Sequence, residues 1–155
     1  PMKVMPVEPA DGTFMVDESA DEVVISERNA VRYKRYVNFA DAVDAEELVA
    51  LYIRLYPLFQ QAYEELGYPD KYFNDRLLVA LDDMLAAPNI NEPVNVVRPN
   101  VFYLYTTAEL EERSIGQRIL MRTGSRNEKK LKAKLQAIRQ ALQRRMHNKK
   151  IEHIR

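Results

Sequence analysis

Between residues 45 and 66 the chain alternates apolar and polar positions with a helical period. Leu48, Leu51, Tyr52, Leu55, Tyr56, Leu58, Phe59, Ala62, Tyr63 and Leu66 fall on one half of a 3.6-residue wheel, and Arg54, Gln60, Gln61, Glu64 and Glu65 fall on the other. Asp44 and Glu47 have the spacing of a capping box with Asp at the cap, and Gly67 stands where a left-handed residue closes a helix. The pattern predicts one long helix, kinked at Pro57 on its polar side, where water can replace the lost hydrogen bond. After the Gly67-Tyr68-Pro69-Asp70 turn a second helix is predicted to end before Pro88. Its apolar arc is Phe73, Leu77, Ala80, Leu81, Met84 and Leu85, with Asp75, Arg76, Asp82 and Asp83 opposite, toward solvent.

The flanking regions are less regular. Residues 4 to 25 carry Pro6, Pro9 and Gly12 between the runs Phe14-Met15-Val16 and Val23-Val24-Ile25, the pattern of one or two short edge strands. Ser26 is placed to cap a helix through about Val37. Residues 89 to 100 read as a loop, with short strands expected at Val94 to Val97 and Val101 to Tyr105. Thr106 with Glu109, Ser114 with Gln117 and Ser125 with Glu128 all have capping-box spacing. From 107 to 123 the apolar positions form no single stripe, so that stretch is either buried on two sides or broken at Ser114. Gly124 closes it. In the last helix Leu131, Leu135, Ile138, Leu142 and Met146 form a narrow stripe that docks by one edge. The fold class is mainly α: a helical domain of four to six helices with short extended segments at the N-terminus and around residues 94 to 105. Its expected divisions are an extended segment 1–25, a helical domain 26–146 and a basic tail 147–155.

Charge changes this picture. The 23 basic and 23 acidic residues cancel overall, but residues 1–112 hold 9 basic and 21 acidic residues, a net of −12, and residues 113–155 hold 14 basic and 2 acidic, a net of +12. Lys129, Lys130, Lys132, Lys134, Arg139, Arg144 and Arg145 surround the narrow stripe of the last helix and are its candidate binding residues. Either this basic helix folds against the acidic body or it faces an anionic partner. Anionic lipid and nucleic acid both suit the charge, but nucleic acid is the poorer fit, since no aromatic side chain follows Tyr105 to stack on a base.

Catalytic signatures are sparse. The chain has no Cys, which removes thiolate chemistry and Cys-based metal sites. His147 and His153 lie in the basic tail, a poor place for a preorganised base or metal ligand. No serine-nucleophile motif, phosphate-cradling glycine loop or metal-binding histidine spacing is present, and no metal or cofactor is expected. Carboxylates remain. Asp75 and Asp82 share a helix face, with Glu64 and Glu65 near the preceding turn, but a glycosidase-like pair needs one carboxyl in an apolar site. Seven of the fourteen aromatic residues lie between Tyr52 and Phe73. That row packs a core or, at the turn tyrosines, lines a sugar or peptide groove.

Several blocks resemble a known family. Residues 56 to 69, from Tyr56-Pro57-Leu58-Phe59 to Leu66-Gly67-Tyr68-Pro69, and Tyr72-Phe73-Asn74-Asp75-Arg76-Leu77 are similar to the hallmark block of domain-of-unknown-function family 3014. Val97-Arg98-Pro99-Asn100-Val101-Phe102-Tyr103, the stretch Ser114 to Arg122, and Lys132-Ala133-Lys134-Leu135 agree with it, while the tail His147 to Arg155 departs from it. The resemblance implies location more than activity: proteobacterial envelope proteins with an N-terminal membrane anchor, a Pro-rich linker and this domain on the periplasmic side of the inner membrane. An anchor upstream of Pro1 is therefore expected, and no catalytic residues carry over. The family motifs single out Tyr72, Asn74, Asp75, Arg76, Gln117 and Arg122 as a candidate polar cluster, in which Arg76 is placed to pair with Asp83.

The function expected from these readings is a non-enzymatic envelope domain that binds another envelope protein or an anionic membrane surface. The alternatives are an envelope enzyme acting on a glycan through carboxylates near Asp75, and nucleic-acid binding through the basic helix.

Overall fold

A computed structural model describes residue 10 and residues 12–90 and 93–152, the last six as backbone alone. Ten elements follow in order: β1 (Val16–Glu18), β2 (Val23–Ile25), α1 (Asn29–Ala42), α2 (Ala45–Glu65), α3 (Phe73–Leu85), β3 (Val96–Val97), β4 (Leu104–Tyr105), α4 (Ala108–Glu111), α5 (Ile115–Arg122) and α6 (Ser125–Glu152). The mainly α class is as expected, α2 begins and ends within a residue of its predicted bounds, and α3 lies between the predicted turn and Pro88. Asp44 caps α2 by accepting from the Glu47 N–H at 2.8 Å, and Gly67 closes the following turn at φ +99°.

Helix α6 is the spine, and α1, α2, α3 and α5 all pack against it. One core lies between α2, α3 and α6, where Val49, Leu81, Ala141 and Leu142 are buried with Tyr52, Ile53, Leu77, Leu78, Leu135 and Ile138 around them. A second core, of Val96, Tyr105 and Met121, lies under the strands. The strands pair as two antiparallel hairpins, Val16 opposite Ile25 and Val96 opposite Tyr105, joined by a bridge between Val24 and Asn95. Helix α6 runs on through the boundary expected between residues 146 and 147 as far as Glu152, so the basic tail is helical at least that far. His153 and residues 1–9 lie outside the described residues.

Three local expectations are corrected. Helix α1 starts at Asn29, not at Ser26. The Ser26 hydroxyl instead accepts from the side chain and main chain of Arg28, at 3.1 and 3.4 Å. Buried Asn29 bonds both ways to the Met15 backbone, which fastens the first hairpin to α1. The 107–123 stretch does break at Ser114, whose hydroxyl accepts from the Gln117 N–H, but Thr106 is not a cap: it bonds to the Asn95 carbonyl across the second hairpin. Glu128 does not complete a capping box either. It is almost wholly buried, paired with Lys132 at 2.7 Å and accepting from the Ile90 N–H at 3.4 Å.

Candidate functional site

The basic face of α6 is turned largely onto the acidic body. Lys130 pairs with Asp41 at 3.5 Å, Arg139 with Asp82, and Arg144 and Arg145 both with Glu46. Lys132 reaches Glu128 and the side chain of Asn89. Lys134 donates to the carbonyls of Asp41 and Val43 at 3.1 and 2.6 Å, where the exposed carbonyls at the end of α1 carry partial negative charge. The guanidinium of Arg139 holds the Asp82 carboxyl below the usual carboxylate range, through its hydrogen bond first and its charge second. Of the seven candidate binding residues, only Lys129 is exposed without such a tie among the described residues. Each of these surface pairs is individually weak, but together they neutralise much of the segregated charge within the chain.

The tyrosine block forms a cleft. Gln60, which the periodicity places on the solvent face, organises it: its amide nitrogen donates to the Lys71 carbonyl and its oxygen accepts from the Phe73 N–H, both at 2.9 Å, while Tyr56 donates to the same oxygen. This side chain therefore closes the 67–72 turn onto the start of α3, a role that i to i+13 spacing hides from any local pattern. Tyr63 and Tyr68 stack with ring centroids 4.7 Å apart, and the Lys71 ammonium lies 5.6 Å from the Tyr68 ring centre. Together with Asp70, Tyr72, Asp75 and Arg76 they line a cavity of about 540 Å³. Glu64 is not part of the lining and instead accepts from Gln60 at 2.7 Å.

The six residues expected as one polar cluster are dispersed. Tyr72, Asp75 and Arg76 share the cleft just described. Asn74 accepts from the Tyr52 hydroxyl in the α2–α3 interface. Gln117 is buried and donates to Asp83. Arg122 lies elsewhere, donating to the Tyr103 carbonyl at 2.7 Å. Asp83 is taken by Ser114 and Gln117, not by Arg76, which is two helical turns, about 10 Å, away along α3. It is thus a packing residue and not part of the solvent face its periodicity suggests.

The largest difference from expectation is on α2. Its apolar arc is wider than a helix docked on one side needs. Val49, which is absent from the predicted arc, is buried, whereas Leu48, Leu51, Leu58 and Phe59 are 40 to 64% exposed. The inner half of the arc packs on α3 and α6, and the outer half is only partly covered by them. Along that outer half Leu48, Leu51, Leu55, Leu58 and Ala62 recur at spacings of three, four, three and four, the seam of a helix that meets another helix. Leu48, Leu51, Leu55 and Phe59, with Leu77, Ile138 and Leu142 beneath, form an almost wholly apolar groove of about 280 Å³.

With this geometry in place, a family profile described as "Protein of unknown function (DUF3014)" matches residues 1–139. The chain belongs to the DUF3014 family. Comparison with curated proteins and with solved structures gives no match. The DUF3014 match covers the tyrosine cleft and all of the apolar groove but Leu142 and ends at Arg139, so the candidate binding residues Arg144 and Arg145 lie beyond it. Among the described residues of this DUF3014 chain no helix is long and apolar enough to cross a membrane, and no cluster of three metal-ligating side chains is present.

Proposed function

We propose that this DUF3014 domain is a non-enzymatic interaction module that takes an amphipathic helix of a partner protein into the groove of α2, α3 and α6. One observation carries the reading: the groove continues outward into the heptad-spaced seam of α2. From Leu48 to Phe59 the lining spans twelve residues, about 16 Å, or three turns of a docked helix. The groove is smaller than the roughly 300–1,000 Å³ of small-molecule sites and offers nothing polar to orient a small ligand, so side chains of a helix suit it better. An exposed apolar surface of this kind marks a binding site more often than it marks a monomer's ordinary exterior. The anionic-surface alternative is weakened because most α6 cations are engaged within the chain. The envelope location implied by the family resemblance belongs to the same proposal, with an envelope protein as partner.

Chemical cross-linking of the full-length protein in cells, compared between wild type and Leu51→Lys, tests this. The wild type is expected to yield a discrete partner that the variant loses while keeping its melting temperature. Retention of the same partner by the variant refutes the groove as its site.

A second reading rests on the shared cleft of Tyr68, Tyr72 and Asp75. Tyrosine faces beside carboxylates and a guanidinium suit a saccharide, bound through ring faces and hydroxyls. Catalysis there is less well supported, since Asp70 and Asp75 are both exposed and neither sits in the apolar pocket a general acid needs. Titration with chitin and glucan oligosaccharides, followed by tyrosine ring NMR signals, is the check. Saturable shifts that vanish in Tyr68→Ala support it, and unshifted signals exclude it.

A further inference from the structure

The seam of α2 is charged along one margin only. Glu47, Arg54 and Gln61 recur every seven residues beside Leu48, Leu51, Leu55 and Leu58, about 10 Å from one to the next, whereas the opposite margin is Tyr52 and Phe59, which line the groove. Arg54 is the only cation of α2. It is exposed, and its side chain has no ion pair or hydrogen bond among the described residues. Resting on the groove's being a helix site, we infer that its occupant carries a carboxylate on the flank of its apolar stripe, level with Arg54.

Arg54 has no partner on its own helix. The residues one turn to either side, Ala50, Leu51, Pro57 and Leu58, are all apolar, so no i to i+3 or i+4 ion pair is open to it. Residues 1–112 hold 21 acidic side chains, yet none of them reaches Arg54 among the described residues. The cations of α6 contrast with it, since Arg139, Arg144 and Arg145 each pair with a carboxylate of the body. Arginine beside an apolar contact row is a common binding hot spot: its neighbours exclude water, and its planar fork takes both carboxylate oxygens.

The same margin sets the register. One heptad toward the N-terminus stands Glu47, also exposed and without an ion pair among the described residues, and it repels a carboxylate that slips to its level. One heptad the other way Gln61 is neutral, and its amide already donates to Glu65 at 2.9 Å. A single flank carboxylate at mid-length therefore has one favourable level along α2. A lysine in its place is repelled there and gains a partner only by slipping toward Glu47, which takes much of the docked helix off the groove.

Calorimetric titration of the whole chain with helical peptides tests this. Three peptides of about three heptads share one leucine stripe and differ only at the flank positions of the central heptad, which hold Glu, Gln or Lys. The Glu peptide is expected to bind about threefold more tightly than the Gln peptide and about tenfold more tightly than the Lys peptide, with both differences shrinking as salt is added. Arg54→Gln is expected to bring the three within about twofold of one another, and Arg54→Glu to reverse their order. Neither variant is expected to move the melting temperature, because the side chain has no partner to lose. Equal affinity of the three peptides for the wild type overturns the inference while leaving the groove a helix site, and so does an order that persists in Arg54→Gln. Failure of all three to bind saturably at millimolar concentration, or binding that survives Leu51→Lys, refutes the groove as a helix site and the inference with it.

Discussion

The side-chain amide of Gln117 donates to both the main-chain carbonyl and the carboxylate of Asp83, at 2.8 and 2.9 Å, and so locks α5 onto α3. Ser114 adds its hydroxyl to the same carboxylate at 2.5 Å while also capping α5. Because Gln117 is buried, Gln117→Ala removes the partner of the Asp83 Oδ1, while its carbonyl and Oδ2 keep Ala86 and Ser114. The expected loss is about 1–3 kcal/mol in urea unfolding. Gln117→Glu, which sets one carboxylate against another, is expected to lose more. A loss under about 0.5 kcal/mol for both variants, the level of an ordinary surface change, contradicts the lock.

Two turn glycines separate backbone strain from crowding. Gly67 and Gly124 both have positive φ, +99° and +91°. A Cβ at Gly67 meets nothing within 4 Å, whereas at Gly124 it lies 3.1 Å from the Ala30 Cβ. Gly67→Ala is expected to cost about 1–2 kcal/mol from conformation alone, and Gly124→Ala to cost more. Thermal melts of the two variants decide the order, and equal losses refute the crowding.

Burial, with a smaller contribution from the neighbouring Tyr56, pushes the Tyr52 hydroxyl from its ordinary 10.0 up to about 12. A pKa higher in the folded than in the unfolded chain means that the neutral phenol is favoured by folding. Its contribution to stability is complete below pH 10 and is lost as pH rises toward 12. Denaturant unfolding across that window is expected to show the wild-type margin over Tyr52→Phe shrinking as pH rises. A constant margin rules this out.

The inward pairing of α6 bears on anionic surfaces. With Lys130, Lys132, Lys134, Arg139, Arg144 and Arg145 all tied to the body, the chain is expected to bind vesicles containing phosphatidylserine weakly. Asp82→Asn combined with Glu46→Gln frees three arginines and is expected to raise that binding. Sedimentation with vesicles at low salt reads the difference, and strong binding by the wild type opposes it.

How much of this was legible in sequence follows from the range of the interactions. The bounds of α2 and α3 were readable because Asp44, Glu47 and Gly67 act within a turn or two of themselves. Ser26 misled because its hydroxyl serves Arg28, and Gln60 and Asp83 looked solvent-facing because their partners come from another part of the chain. The width of the α2 arc was visible, but which half would be buried depends on where α6 docks.

The central claim concerns the outer seam of α2. Photo-crosslinking in cells, with a photoreactive residue placed at Leu51 or at Lys129 of the full-length protein, tests it most directly. The account predicts adducts from position 51 that map to one segment of a partner protein with apolar residues at i, i+3 or i+4, and i+7, and few adducts from position 129. Adducts from position 129 with none from position 51, or adducts at position 51 only to a second copy of this chain, contradict it.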